Sequence, residues 1–292
     1  MISLILPKGS LEAGTLKLFE DADLPVRRGS DRDYGATIAD PRIGKVKILR
    51  VQEIGKAVEM GYFDVGVIGL DWVRESGSDV HEVMDLGPGG RDVGGNVRIV
   101  VAVPQSLDAE TAKQLPAGTR VSTEYPNMTR RYFELLGVPV DVSMSYGATE
   151  AKIPELADAI VELTETGSSL RRAGLKIVGI VLESSTKLIA NHQAWADPIK
   201  RREIEDITTL LRGVLAARGK VLIKLNVHES RLKEVIEILP AMKSPTVSRL
   251  FGSDYYAVET VAVKSEINLL IPELKKRGAE DILEIPMSKI VA

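Results

Sequence analysis

The chain contains no cysteine, which excludes disulfide bridges, thiol nucleophiles and Cys-ligated metals. Its three histidines, His81, His192 and His228, are scattered, so a histidine-built zinc centre is not expected. Aromatic residues are scarce. Four Phe and two Trp do not furnish the stacking platform that single-stranded nucleic acid requires. Neither sign of charge dominates, since 38 Lys and Arg face 41 Asp and Glu. The basic run Lys200-Arg201-Arg202 is answered by Glu203, Glu205 and Asp206, as on the wet face of a helix. No apolar run approaches the roughly 20 residues of a membrane span, and Met1 to Pro7 is too short for a secretory signal. The expectation is a cytoplasmic protein with neither nucleic-acid nor membrane partners.

What is present is strand–helix alternation. At 292 residues and 44% hydrophobic content, the chain can fill one large or two to three small domains. Apolar strands read at 2–6, 45–49, 64–68, 97–103, 120–123, 157–163 and 176–182. Helical patterns fall between them at 11–19, 54–60, 128–136 and 168–173. This α/β pattern predicts open, largely parallel sheets, with ligands beyond the carboxyl ends of the strands. Lys8, Asp71 and the 164–169 loop fall there. The run Gly87-Pro-Gly-Gly-Arg-Asp-Val-Gly-Gly95 reads as a hinge between lobes or as a surface loop. A long helix at 198–218 follows. Beyond Gly219 the order becomes β-α-β-β-α-β, the ferredoxin-like motif.

The stretch Asp158-Ala-Ile-Val-Glu-Leu-Thr-Glu-Thr-Gly-Ser-Ser-Leu170 carries the most chemistry. An apolar strand with two carboxylates runs into a loop of hydroxyls and one glycine, and a helix opens behind it. Backbone N–H groups at a helix start, flanked by Thr and Ser hydroxyls, suit a phosphate; equally, Thr166 and Ser168 can cap the helix. Asp158 and Glu162 add acceptors for sugar hydroxyls, or for a metal ion beside a pyrophosphate.

This stretch resembles the phosphoribosyl-pyrophosphate loop of the ATP phosphoribosyltransferases, which open histidine biosynthesis. The resemblance extends to Ile5-Leu-Pro-Lys-Gly9, Ile48-Leu-Arg50, Asp64-Val-Gly-Val-Ile-Gly-Leu-Asp-Trp72, Ser122-Thr-Glu-Tyr-Pro126 and Gly147-Ala-Thr-Glu150, all in the family's order. It implies transfer of a 5-phosphoribosyl group to N1 of ATP with Mg²⁺, releasing pyrophosphate. It further implies a two-lobed catalytic part like a periplasmic binding protein. Lobe I is then 1–96 and 182–218, lobe II is 97–181, and a regulatory ferredoxin-like domain spans 219–292.

On this resemblance phosphoribosyl pyrophosphate meets Asp158, Glu162, Thr164, Glu165, Thr166, Gly167, Ser168 and Ser169. ATP meets Lys8, Gly9, Arg50, Asp71, Arg98, Tyr125 and Glu150. Asp71 offers an acceptor to a ribose hydroxyl or a metal-bound water, or opens the helix that includes Trp72; Tyr125 stacks on a base or packs in the core. Ser10 stands where relatives carry an arginine and is placed to cap the following helix, with Arg32 a candidate substitute. Asn226, Ser244 and Thr246 match positions near a feedback site for L-histidine. Dimers assembling into hexamers are implied. No side chain is assigned as catalytic acid, base or nucleophile, and no metal ligands are assigned. Two rivals remain at this point: a two-lobed small-molecule binding or sensing protein, and a phosphoribosyltransferase for another base.

Overall fold

The computed structural model describes residues 1–87, 97–240, 242 and 244–291, so the glycine-rich run after Gly87 lies outside the described residues. Two compact units are present, Met1–Thr208 and Thr209–Ala292. Strands β1 (Ile2–Lys8), β2 (Gly35–Ala36), β3 (Ile43–Arg50), β4 (Val65–Gly69) and β5 (His81–Gly87) begin the first. The chain then builds a second sheet from β6 (Val97–Pro104), β7 (Thr119–Thr123), β8 (Val140–Met144), β9 (Ala159–Thr164) and β10 (Leu175–Ser184). Finally β11 (Thr186–Ala190) returns to the first sheet. The orders are β2-β3-β1-β4-β11-β5 and β10-β6-β9-β7-β8. This is the two-lobed architecture that the family resemblance implied.

The sheets are mixed, which corrects the expectation of largely parallel ones. β1 pairs in parallel with β3 and β4, and β7 with β8 and β9. β11 and β6, however, run antiparallel to β4 and β9. Both follow a passage of the chain from one sheet to the other, so each enters its sheet from the opposite end. The patterning also hid β5, β8 and β11, because each is short or half exposed.

Helices α1 (Glu12–Asp21), α2 (Val51–Glu59) and α3 (Leu70–Ser76) belong to lobe I, and α4 (Pro126–Leu136) and α5 (Ser168–Arg172) to lobe II. Strands β1 and β4 are apolar over almost every position, as sheets covered on both faces require. Gly66 of β4 shows how closely α2 lies on this sheet. A Cβ there would come within 2.8 Å of Ile54 and 2.9 Å of Val58, so the helix rests on bare backbone. Lobe II closes around Ile99, Val101, Val121, Phe133 and Val161, all buried. The cap expected from Ser10 is absent: α1 opens behind Leu11 without a side-chain cap, and Glu12 itself reaches back to the Gly9 N–H at 3.4 Å.

Helices α6 (His192–Ala196) and α7 (Pro198–Ala217) complete the first unit and lead into the second. There β12 (Lys220–His228), α8 (Leu232–Ile236), β13 (Thr246–Arg249), β14 (Tyr255–Val263), α9 (Ile267–Lys276) and β15 (Ala279–Pro286) follow the expected order. The antiparallel sheet β13-β14-β12-β15 is ferredoxin-like. Val221, Ile223, Leu225 and Val227 alternate into its core, as a sheet with one covered face demands. No helix among the described residues is long and apolar enough to cross a membrane.

Candidate functional site

A cavity of ≈ 330 Å³ lies between the two lobes of the first unit, at the carboxyl ends of their parallel strands. Lobe I supplies Lys8 and Gly9 after β1, Arg50 at the end of β3, and Asp71 and Trp72 on α3. Lobe II supplies Glu124 and Tyr125 after β7, and Glu162, Leu163 and Glu165 from β9 and its loop. Ser184, Ser185 and Thr186, where the chain returns between lobes, line it as well. Lys8 and Glu165, 157 positions apart, thus converge because parallel strands present their carboxyl ends together.

Lobe I brings cations. The Lys8 ammonium donates to the Asp31 carbonyl at 3.0 Å and sits 5.1 Å from the Tyr34 ring centre, so its charge is not cancelled by a carboxylate. Arg50 and the half-buried Arg98 have no hydrogen-bond or ion-pair partner among the described residues. Arg98, opposite Thr164 in the β6–β9 register, does not line the cavity. Arg32 is exposed and does not line the cavity, whereas Ser10 does.

Asp71 joins the lobes. Only 4% exposed, it accepts the Ser184 hydroxyl at 2.7 Å and the Tyr125 hydroxyl of lobe II at 3.1 Å. Burial pushes its carboxyl above the usual carboxylate range, against these hydrogen bonds. Burial, with Asp71 beside it, also drives the Tyr125 phenol upward. The Tyr125 ring lies 4.9 Å from that of Trp72 and is itself 4% exposed. Of the two expectations for Tyr125, the ring takes the packed one, and its hydroxyl serves the cavity wall by holding Asp71. Asp71 stands in the first turn of α3, whose N-cap is Gly69. Glu75, one turn on, accepts the Asn127 and Met128 N–H groups at 3.0 and 2.9 Å, satisfying orphan donors at the start of α4.

Lobe II brings carboxylates and the hydroxyl loop. Burial raises Glu162, Thr149 and the Leu163 N–H oppose this with hydrogen bonds, and Glu124 and Glu150 add repulsion. Glu150 itself is exposed on the short turn Thr149–Lys152 and does not line the cavity. Beyond β9, the Thr164 hydroxyl accepts the Gly167 N–H at 2.9 Å, and Gly167 adopts φ +71° as it opens α5. Thr166, Ser168 and Ser169 are exposed. Thr166 and Ser168 hydroxyls bond each other at 3.0 Å, leaving the loop surface rich in donors.

Asp158 requires the clearest correction. It precedes β9, at the amino end, and six residues of extended chain place it roughly 20 Å from Thr164. Its carboxylate accepts the Arg120 backbone N–H at 3.0 Å and the Arg120 guanidinium at 2.7 Å. These bonds hold it below the usual carboxylate range. Asp158 thus clasps β9 to β7 and does not line the cavity that Glu162 lines. Sequence reading assigned no role in the site to Glu124, Trp72 and Ser184; Glu124 and Trp72 lay inside quoted motifs, and Ser184 did not.

In the second unit, the register sets Thr246 opposite Glu259 and Glu259 opposite Lys224. Asn226, two residues along β12, therefore shares a sheet face with Thr246, the face away from the core. Asn226 donates to Asp281 at 2.9 Å, and Ser244 is exposed just before β13.

The ATP phosphoribosyltransferase family profile matches residues 50–213, and the profile described as HisG, C-terminal domain matches 217–289. An ATP phosphoribosyltransferase of Desulforudis audaxviator is 46% identical, covering 98% of each chain. One from Chlorobium phaeovibrioides is 45% identical over 100% of this chain and 98% of its own. Among solved structures, the Thermotoga maritima ATP phosphoribosyl transferase (HisG:HisZ) complex is similar in fold, with a TM-score of 0.60 at 23% identity, covering 72% of this chain and 96% of that one. Phosphoribosyltransferases of this family generally need a divalent metal. With both profiles matched in order and curated relatives aligned end to end, the chain belongs to the ATP phosphoribosyltransferase family in its long form, the enzymes that open histidine biosynthesis.

Proposed function

We propose that the interlobe cavity holds ATP and phosphoribosyl pyrophosphate together and transfers the 5-phosphoribosyl group to N1 of the adenine ring. The observation that carries this reading is the polarity of the two walls: uncancelled cations at Lys8 and Arg50 face Glu162, Glu124 and a donor-rich loop. As pyrophosphate leaves C1, positive charge builds on the ribose ring and negative charge on the departing oxygens. Glu162 and Glu124 are set to accept the ribose hydroxyls and to stabilise the ring charge. Lys8 and Arg50 neutralise the phosphates, and the 164–169 loop fixes the 5-phosphate. Holding both reactants in one cavity supplies the orientation on which such a displacement depends.

Among the described residues no group of three or more acidic or histidine side chains is arranged as a metal cage. Two carboxylates in the wall do fit a Mg²⁺ ion that arrives on the substrate's phosphates and keeps most of its waters; Glu124 and Glu162 would hold it. When bound, it would supply charge neutralisation of the leaving pyrophosphate. Incubation with ATP, phosphoribosyl pyrophosphate and Mg²⁺ is expected to produce a new ultraviolet band and pyrophosphate, both lost in excess chelator. Turnover with another base but not ATP, or binding without turnover, would refute the reading. The reaction is placed in the cytoplasm, where ATP is available.

The second unit is proposed to sense L-histidine through Asn226, Ser244 and Thr246, in a homo-oligomer of dimers or hexamers. By linkage, a histidine that weakens substrate binding must itself bind more weakly to the substrate complex. The double substitution Ser244→Ala, Thr246→Ala is expected to weaken inhibition about tenfold, the worth of one or two neutral hydrogen bonds. Uninhibited turnover should stay within about threefold, or ~0.7 kcal/mol. Inhibition titrations decide this, and equal loss of turnover and inhibition would refute it.

A further inference from the structure

Helix α4 begins without a cap of its own. Tyr125 is its N-cap residue but provides no side-chain hydrogen bond, and no acidic residue stands in its first turn. Pro126, near the first helical position, removes one N–H that would otherwise need a partner. The next two N–H groups, of Asn127 and Met128, go one to each carboxylate oxygen of Glu75, at 3.0 and 2.9 Å. The Asn127 side-chain amide returns the contact by donating to the Glu75 carbonyl at 3.2 Å. Glu75 is only 6% exposed, and its negative charge is met by the positive end of α4.

A cap that served α4 alone would stand just before it in the chain, as N-caps ordinarily do. This one stands on α3, in the opposite lobe. The same short helix makes two further contacts across the gap. One turn back from Glu75, Asp71 accepts the Tyr125 hydroxyl at 3.1 Å. Trp72 lies 4.9 Å from the Tyr125 ring and packs against the apolar cores of both lobes. The start of α4 is thus held by lobe I at residues 125, 127 and 128. Glu124, in the cavity wall, directly precedes them.

We infer that Glu75 is a positioning residue for the transfer: a cap supplied across the lobes that sets the wall bearing Glu124 against the wall bearing Lys8 and Arg50. This rests on the reading of the cavity given under the proposed function. The attacking nitrogen and the ribose carbon are carried by two different substrates, so their separation follows the spacing of the walls. A misplacement of about 1 Å is enough to cost about a hundredfold in rate. Glu75 therefore acts on the rate of transfer rather than on the hold of either lobe on its own substrate.

The test compares Glu75→Gln with the double variant Glu75→Gln, Asn127→Asp. The amide keeps the shape of the side chain but offers one acceptor oxygen, so one N–H loses its partner and the tie loses its charge. Asn127 is exposed, and an aspartate there gives the first turn of α4 a negative charge from lobe II itself. Rapid-quench measurements of a single turnover, per binding site counted by calorimetry, are expected to show the maximal rate of transfer at least tenfold lower in both variants. Half-saturating concentrations of ATP and phosphoribosyl pyrophosphate should each stay within about threefold. Crystal structures of both variants should show the start of α4 displaced from α3 by about 1 Å. Recovery of the rate in the double variant would make Glu75 a helix cap only and overturn the inference. An unchanged rate in Glu75→Gln, or an undisplaced α4, would also overturn it. So would weaker binding of phosphoribosyl pyrophosphate with the rate kept, which places the effect within lobe II. A wild type that binds both substrates without transfer overturns the reading of the cavity, and the role of Glu75 with it.

Discussion

Replacing Gly167 with valine is expected to weaken phosphoribosyl pyrophosphate binding about a hundredfold or more, equivalent to losing two charge-assisted hydrogen bonds. Gly167 holds φ +71°, a region closed to a β-branched residue without strain. Its new Cβ would also meet Arg171 Nη1 at 3.2 Å and Ile177 Cδ1 at 3.3 Å. The loop must then open, breaking the Gly167 bond to Thr164 and turning the neighbouring N–H groups away from the phosphate position. Calorimetric titrations should show ATP affinity within about threefold, since Lys8 and Arg50 belong to the other lobe. A valine variant that binds phosphoribosyl pyrophosphate like the wild type would remove the loop from the site.

Asp71→Asn is expected to separate stability from activity. A buried acid whose folded pKa lies above its unfolded value lends stability below the unfolded pKa, and this contribution is lost as pH rises through the folded pKa. Asp71 is such a group, raised chiefly by burial. Above its folded pKa the wild type therefore carries the cost of an ionised, desolvated carboxylate. The amide removes that cost, and the Ser184 and Tyr125 hydroxyls can reorient to satisfy it. Melting temperature should match or exceed wild type by a few degrees near pH 8, about 1–2 kcal/mol for a chain of this size. The advantage should shrink as pH falls through the raised pKa. Turnover should drop tenfold or more, because a charge facing the reactants has gone. A variant less stable at pH 8 than at pH 5, relative to wild type, would contradict the sign.

Much of this could be read from the sequence because the relevant signals were local. Apolar runs gave β1, β4, β6 and β9, and the change of pattern after Gly219 gave the ferredoxin-like unit. Thr164 to Ser169 announced itself by composition. What escaped depended on partners distant along the chain. Asp158 and Glu162 share one short motif, yet spacing does not reveal which end of a strand faces the ligand; the Arg120 clasp decides it. The pairing of Asp71 with Ser184 spans 113 residues, and Glu75 reaches the start of α4 across 53. The sheets were misjudged for the same reason, since strand direction in β6 and β11 is set by the chain's passage between lobes.

That passage has a consequence of its own. β10 ends at Ser184 and β11 begins at Thr186, so a single residue, Ser185, separates one sheet from the other on the way back. All three line the cavity, and the Ser185 carbonyl accepts the Leu70 N–H at 2.9 Å at the head of α3. Fulcrum and floor are the same few atoms. Any swing of one lobe against the other must alter torsions at Ser185 and so reshape the surface on which the reactants rest. Conversely, whatever presses on that surface biases the angle of the jaws without a chain of intermediaries to carry the message.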